Sequence, residues 1–301
     1  MRAALFDRFG PPEVLRVVDL PDPEPGPGQV RVRVRAAGVQ PFDVAARQGR
    51  MPWIDVRFPQ QVGQEYSGVV DAVGPDVSGF AAGDEVLGST MLNGQASAVV
   101  VPAATVVRKP PELDFPTAAA LVAAGQTATG ALGELAVGEG DVLLVHAAAG
   151  SVGTIAVQVA RLAGVEVIGT ASPGNHGYLR QLGAVPVAYG DGLADGVRAT
   201  GRVPTVALDA AGGAAIAASV ALGIAPDRIG TIVDDKVAAE YGARVVRAPR
   251  SPARLAEVVA LAAEGRVTMP VRAYPLAEVA RAHAAVETGH GRGKVVLIVE
   301  P

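Results

Sequence analysis

A strand-to-helix unit at residues 142–164 constrains the fold of this chain more than any other feature. It begins with a run of branched apolar residues, Val142 to His146, and continues through a turn that contains glycine. It ends in a pattern with helical spacing, formed by Ile155, Val159 and Leu162. A buried strand, a small-residue turn and an amphipathic helix make the first half of a βαβ unit. The stretch therefore predicts a parallel sheet.

The turn itself reads A-x-G-x-x-G and resembles the dinucleotide fingerprint G-x-G-x-x-G, with Ala148 in place of the first glycine. Gly150 stands where a side chain would block the approach of a pyrophosphate, and Gly153 where the helix must pack closely on the strand. The amides of Ser151 and Val152 would face the phosphates from a helix N-terminus. We predict a dinucleotide site. The alternative is a tight turn that needs small residues for packing alone.

The remainder of the chain predicts two domains, as expected for 301 residues. Short strands separated by turn signals precede Pro110, and those predicted are 30–36, 67–73 and 96–101. Alanine-rich helices then alternate with strands predicted at 142–146, 165–170, 185–189, 205–209, 228–233 and 243–247. After Thr268 come a strand, a helix and a last strand. The fold class is therefore α/β, with a β domain and a doubly wound parallel-sheet domain, and spacing alone does not assign the tail to either.

Cofactor preference is predicted from the end of the second parallel strand. An NAD site usually places Asp or Glu there to accept from the ribose 2′-hydroxyl. This chain has Thr170, Ala171 and Ser172 instead. Without a carboxylate a 2′-phosphate is not repelled, and Ser172, Asn175 and His176 supply donors to it. We predict NADPH. The alternative is that Ser172 or Asn175 caps a helix.

Composition excludes several classes of function. The net charge of −4 gives no electrostatic basis for binding nucleic acid or an anionic membrane. Cysteine is absent, which removes disulfides and thiolate metal ligands. Charges and prolines follow the first residues too soon for a signal peptide, and no apolar run is long enough to cross a bilayer. We expect a cytoplasmic protein that acts on a small molecule.

Ordered landmarks extend along the whole chain. They are "PGPGQVRVRVRAAGVQPFD", "FPQQVGQEYSGVV", "GFAAGDEV", "AAALVAAGQTATGAL", "HAAAGSVGTIAVQVARLAG" and "VARAHAAVETGHGRGKVVLIV". Together they resemble the medium-chain dehydrogenase/reductase superfamily, in its zinc-free quinone oxidoreductase-like branch. The resemblance implies a GroES-like β domain at 1–115, completed by 267–301, and a Rossmann domain at 116–266. It also implies a homodimer.

The zinc ligands of related alcohol dehydrogenases are replaced in this chain. Those relatives need a Cys shortly after the "AAGV" strand and a His in a "GHE" turn, where this chain has Gln40 and Gln64. An amide supplies neither thiolate nor imidazole, so we predict no catalytic or structural zinc. Without a Lewis acid, alcohol oxidation loses the ion that stabilises the alkoxide. Hydride transfer from NADPH to a quinone or an α,β-unsaturated carbonyl stays feasible.

Ser172 and His176 are predicted from the end of the second parallel strand. The resemblance suggests further cofactor-binding residues. Gln40 would lie beside the nicotinamide, Thr127 near its ribose or phosphate, and Tyr189 against the adenosine phosphate. Thr127 has the alternative role of a helix N-cap. Three further positions would line or close the cofactor groove, each with a structural role as an equal alternative: Ala211, Ile232 and Lys294.

The proton donor and the substrate pocket are less defined. Enoyl-reducing relatives carry Tyr in a pattern like "RxGxY", where this chain has Met51. Gln40 and Tyr66 are the candidate catalytic residues, but Tyr66 has packing as the favoured alternative, so we hypothesise that water or a substrate group supplies the proton. Candidates for an apolar pocket, each alternatively a core residue, are Phe42, Met51, Trp53, Met91 and Met269.

Two alternative functions stay open at this point. One is a dedicated enoyl or enone reductase of a biosynthetic pathway, which shares the same chemistry. The other is an NADPH-binding structural or regulatory protein with little turnover, because the same cofactor motifs would serve it equally.

Overall fold

The computed structural model describes residues 1–300. Eight strands lie in the first part of the chain: β1 Arg2–Phe6, β2 Arg16–Asp19, β3 Gln29–Val39, β4 Gln60–Gln61, β5 Glu65–Val73, β6 Glu85–Ser89, β7 Ala98–Pro102 and β8 Val106–Arg108. Eight more follow: β9 Val142–His146, β10 Glu166–Thr170, β11 Val185–Val187, β12 Val206–Asp209, β13 Ile229–Thr231, β14 Arg244–Val245, β15 Val271–Pro275 and β16 Lys294–Ile298.

The α-helices described are α1 Pro41–Arg47, α2 Phe115–Glu134, α3 Ser151–Leu162, α4 His176–Gln181, α5 Leu193–Ala199, α6 Ala215–Ala221, α7 Asp235–Tyr241, α8 Pro252–Ala263 and α9 Val279–Glu287. Short 3₁₀ turns occur at Pro12–Val14, Ala103–Thr105, Pro173–Asn175, Pro226–Arg228 and Leu276–Glu278. Within residues 1–300, no helix combines the length and apolar character that crossing a membrane requires.

One compact unit comprises residues 124–250 and 265–268. Its six-stranded sheet has the order β11-β10-β9-β12-β13-β14, and every neighbouring pair is parallel. Counted from β9 this is the order 3-2-1-4-5-6 of a dinucleotide-binding fold. Its core includes Leu144, Ile168, Ala207 and Ile229. The predicted doubly wound parallel sheet is confirmed.

The other unit comprises residues 1–123, 251–264 and the chain from 269 onward. It holds a sheet of order β2-β1-β4 and a larger one of order β15-β16-β3-β5-β6-β8, with β7 also paired to β3. The central strand β3 alternates because Val30, Val32 and Val34 are buried while Arg31 and Arg33 face outward, where both bond to Asp71.

The tail returns to this β-rich unit. Strand β16 pairs antiparallel with β3, Val296 opposite Gly38, and parallel with β15. Helix α8 is also grouped with this unit rather than with the parallel sheet. The domain bounds implied by the resemblance, 1–115 with 267–301 and 116–266, stay a prediction.

Most strands of the parallel sheet are shorter than predicted: β10 and β12 each lose one residue, and β13 keeps only Ile229–Thr231 of the predicted 228–233. β9 has the predicted bounds, whereas β11 ends at Val187 and leaves Tyr189 outside it. β14 keeps only Arg244 and Val245 of the predicted 243–247. A strand ends where its backbone pairing ends, whereas the apolar pattern continues into the neighbouring turns, so the pattern predicts strands that are too long.

Candidate cofactor-binding site

The turn after β9 is fastened to the end of β10. Ala147 has a left-handed backbone with φ of 56°, which a residue with a side chain adopts only when its surroundings enforce it. Its N–H lies 3.3 Å from Thr170 Oγ1, and the Ala148 N–H donates to the Thr170 carbonyl at 3.0 Å. Gly150 is the N-cap of α3. The neighbouring strand therefore holds the turn in its conformation.

Two glycines allow close packing around this turn. A Cβ on Gly153 would stand 2.4 Å from the Ala147 carbonyl oxygen, so α3 packs as closely as the fingerprint predicts. A Cβ on Gly169 of β10 would stand 2.8 Å from the Ala148 Cβ. The alanine at the first fingerprint position is thus accommodated because the next strand has a glycine opposite it. We did not predict the packing of Ala148 against Gly169 from the sequence.

Helix α3 presents its first amides without intrahelical acceptors. Ser151 and Val152 form its first turn and are half-buried. The first intrahelical bond from this end runs from the Thr154 N–H to the Gly150 carbonyl at 2.8 Å. Amides N-terminal to it, at the positive end of the helix, favour a phosphate anion. These residues fit a dinucleotide pyrophosphate.

The end of β10 carries polar groups and no carboxylate. Asn175 Nδ2 donates to Ser172 Oγ at 3.3 Å, and His176 Nε2 lies 3.2 Å from the Ala171 carbonyl oxygen, so Nε2 carries the hydrogen. Neither Ser172 nor Asn175 makes a side-chain capping bond to the helical turn that follows it. Both residues nevertheless occupy N-cap positions, Ser172 before the 3₁₀ turn Pro173–Asn175 and Asn175 before α4, so the alternative interpretation as helix caps stays open.

Asp209, which sequence analysis missed, organises the ends of β12 and β13. It is buried, its Oδ1 accepts from the N–H groups of Ala211 and Gly212 at 2.8 Å, and its Oδ2 accepts from Thr231 Oγ1 at 2.8 Å. The Ile232 N–H donates to the Asp209 carbonyl at 3.0 Å. The predicted positions Ala211 and Ile232 are thus held by one residue. The sequence does contain a signal for this residue, because Asp209 is a carboxylate at the end of an otherwise apolar strand.

A buried histidine lies beside this carboxylate. His146 Nε2 is 2.9 Å from Ser219 Oγ, and His146 pairs with Asp209 across β9 and β12. Burial lowers the pKa of His146 to about 4, against the opposing effect of Asp209. Ser219 is itself buried and donates to the Ala215 carbonyl at 2.9 Å. The three residues therefore have a structural role, not that of a nucleophilic triad.

Two predicted cofactor contacts lie in different settings. Thr127 is half-buried inside α2, twelve residues after its first residue Phe115, so the alternative role as a helix N-cap is wrong. The helix begins earlier because an alanine-rich run extends it upstream. Tyr189 lies beyond the end of β11 with 53% of its surface exposed.

In the β-rich unit the structure brings Gln40, Gln64 and Met91 together. Gln40 is the N-cap residue of α1, and its backbone N–H donates to Asp43 Oδ2 at 3.0 Å. Its Nε2 donates to Gln64 Oε1 at 3.0 Å, and Gln64 Nε2 donates to Met91 Sδ at 3.4 Å. The two amides predicted to replace zinc ligands are thus direct neighbours.

The other two polar candidates of this unit are buried. The Tyr66 hydroxyl has no hydrogen-bond partner and faces Gly88, and burial raises the pKa of Tyr66 well above its usual range. Packing is the role that this setting favours. Lys294 pairs its ammonium with the buried Glu65 carboxylate, so its charge is already neutralised.

The apolar candidates do not form one buried group. Met269 belongs to the core, and Phe42 and Met51 are half-buried. Trp53 and Met91 have 73% and 62% of their surface exposed. Of this set, only Met91 has a described contact with another candidate site residue, Gln64.

Metal-ligating side chains are not clustered in the described part of the chain. Across residues 1–300 no group of three or more His, Cys, Asp or Glu is placed to hold a metal ion. At the positions where zinc-dependent relatives have metal ligands, this chain has the side-chain amides of Gln40 and Gln64.

Two family models match this chain. They are the alcohol dehydrogenase GroES-like domain over residues 26–143 and the zinc-binding dehydrogenase over residues 182–297. The structure resembles that of the quinone oxidoreductase from Coxiella burnetii, at 32% identity over 100% of this chain and 99% of that one, with a TM-score of 0.89.

Two other solved structures bear on the cofactor. An NAD-dependent alcohol dehydrogenase is 32% identical over 100% of both chains, with a TM-score of 0.88. Mycobacterial Rv1454c complexed with NADPH is 30% identical over 99% of this chain and 100% of that one, with a TM-score of 0.86.

Matches to curated proteins are shorter. Human quinone oxidoreductase is 39% identical over 177 residues, which are 57% of this chain and 53% of that protein. Erythronolide synthase EryA2 from Saccharopolyspora erythraea is 45% identical over 130 residues, which are 42% of this chain and 4% of that protein. The matched part is thus about half of the former protein's length and a small fraction of the latter's. With the full-length structural match to a quinone oxidoreductase, the chain belongs to the medium-chain dehydrogenase/reductase superfamily, in its zinc-free quinone oxidoreductase-like branch.

Proposed function

We propose that this chain is an NADPH-dependent, zinc-independent oxidoreductase that transfers hydride to a quinone or an α,β-unsaturated carbonyl. The observation that carries the proposal is the 3.0 Å bond between the Gln40 and Gln64 amides, at positions where zinc-dependent relatives need ligands. Amides do not bind zinc well, so alcohol oxidation would lose its Lewis acid. An acceptor that is already electrophilic can take hydride without a Lewis acid.

The cofactor proposal rests on the turn and on the end of β10. The first-turn amides of Ser151 and Val152 would hold the pyrophosphate, and Asp209 would keep the neighbouring strand ends in place. Ser172 and His176, without a carboxylate beside them, support a 2′-phosphate. When bound, the dihydronicotinamide would supply the hydride.

Protonation of the product would come from water or from a substrate group. Tyr66 is a poor donor because its hydroxyl is buried and its pKa is raised. The chain itself would orient the acceptor and exclude competing reactions, which is the larger part of catalysis when the cofactor carries the electrons.

A spectrophotometric panel tests the function. We expect NADPH oxidation at 340 nm with quinones and enones, measured against the reaction without protein, and little activity with saturated alcohols and NADP⁺. Tight NADPH binding with negligible turnover on every acceptor would support the binding-only alternative. Light scattering tests separately the homodimer that the family resemblance implies.

A further inference from the structure

The amides of Gln40 and Gln64 have a defined direction. Gln64 Nε2 donates to Met91 Sδ at 3.4 Å, which leaves Gln64 Oε1 facing Gln40. Gln40 therefore turns its nitrogen, not its oxygen, toward Gln64. A carboxamide nitrogen has two hydrogens, and the bond to Gln64 uses one.

A buried polar chain fixes the backbone that carries Gln40. Asp43 Oδ2 accepts from the Gln40 N–H at 3.0 Å and from Gln95 Nε2 at 3.3 Å. Gln95 Oε1 is in turn 3.0 Å from His283 Nε2. Gln95 and His283 are fully buried. A donor held in this way needs little reorganisation when it meets an acceptor.

The surroundings of the pair suit a neutral acceptor. Gln64 is buried, whereas Gln40 is half-buried, so the Gln40 side of the pair is the more accessible one. The nearby carboxylate of Glu65 is already paired with Lys294. A neutral amide donor matches a carbonyl oxygen better than it matches an anion that needs a cation.

We propose that the second N–H of the Gln40 amide donates to the carbonyl oxygen of the acceptor, with Gln64 as a positioning residue. This rests on the proposed reductase function. In an enone, hydride from the dihydronicotinamide adds to the β-carbon, and the alkene electron pair shifts to form an enolate with its charge on oxygen. A proton from water then adds to the α-carbon, leaving NADP⁺ and the saturated carbonyl. The hydrogen bond strengthens as charge develops on the oxygen, so it lowers the barrier.

Variants of Gln40 test this role. Gln40→Glu keeps the size but replaces the donor with an acceptor, and Gln40→Leu removes both. Each should lower kcat/KM for an enone by about 10²-fold. The Kd for NADPH should change by less than about twofold, which is a small change in binding free energy. Gln40→Asn should recover part of the loss, and Gln64→Leu should raise KM. Gln181→Leu, at an exposed position of α4, is the control.

Two results would overturn the proposal while the reductase function stands. One is unchanged kcat/KM in Gln40→Glu and Gln40→Leu. The other is a loss of NADPH affinity without a change in the acceptor's KM or kcat, which would place Gln40 at the nicotinamide instead. Thermal unfolding of each variant separates these results from misfolding.

If wild-type protein turns over no acceptor, the proposed reductase function is refuted. A binding measurement then still tests the proposed role of Gln40. In protein labelled with ¹⁵N-glutamine, acetophenone should shift the Gln40 side-chain amide signal, assigned by its absence in Gln40→Leu. Ethylbenzene, which lacks the carbonyl, should not. Equal shifts with both probes, or no shift with acetophenone, would overturn the proposal.

Discussion

Ala148, in the turn after β9, packs directly against Gly169 of β10. A Cβ added to Gly169 would lie 2.8 Å from the Ala148 Cβ and 3.0 Å from Leu179 Cδ1. The alanine that departs from the dinucleotide fingerprint and the glycine in the next strand are therefore complementary.

Gly169→Ala should lower the free energy of unfolding by about 1–3 kcal/mol, because it overpacks the space beside Ala148. Adding Ala148→Gly should recover part of the loss, since it removes the nearest atom. Urea unfolding of the two single variants and the double variant measures the coupling. Additive effects in this cycle would mean that the two positions do not share a space.

Gly153→Ala should be costlier and should also weaken NADPH binding. The new Cβ would lie 2.4 Å from the Ala147 carbonyl oxygen, a backbone atom that cannot move without displacing the turn. We expect a loss of roughly 2 kcal/mol or more in unfolding free energy. Gly177→Ala in α4 is the matched control, because its Cβ meets no atom within 4 Å. Equal effects at both positions would contradict the close packing of α3.

Two buried histidines should make stability fall as the pH is lowered. Burial lowers the pKa of His146 to about 4, and burial with the Arg47 guanidinium lowers that of His283 to about 3. Unfolded histidine titrates near 6.5, so between about pH 6.5 and 4 the unfolded chain binds more protons and the folded state loses stability.

His283→Gln should reduce this pH dependence, since glutamine keeps a donor for Gln95 and does not titrate. The difference in unfolding free energy between variant and wild type should change by about 2 kcal/mol from pH 7 to pH 5. His290→Asn, at an exposed position, should leave the slope unchanged. A wild-type slope in His283→Gln would mean that His283 is charged in the folded protein.

Ser172→Asp should shift the cofactor preference from NADPH toward NADH. A carboxylate at the end of β10 repels a 2′-phosphate and accepts from a 2′-hydroxyl. The ratio of the two Kd values, measured by fluorescence titration, should change by about tenfold or more, equivalent to about 1.4 kcal/mol. An unchanged ratio would show that the 2′-phosphate is bound elsewhere.

Local pattern predicted most of the regular elements and the glycine-containing turn after β9, but not the contacts that hold them. The bounds of β9 match its apolar run. The bonds from Asp209 to Thr231 and from Gln40 to Gln64 join residues that are distant in sequence. Strand order and helix placement determine them, and no local spacing encodes them.

Zinc content and turnover, measured on one sample, test the central claim most directly. Untagged protein is assayed for NADPH oxidation with the best acceptor, and the same sample is analysed for metals by mass spectrometry. The account predicts turnover with far less than one zinc per chain and no loss of activity after dialysis against a chelator. Stoichiometric zinc, with activity that disappears on chelation and returns with zinc, would contradict it.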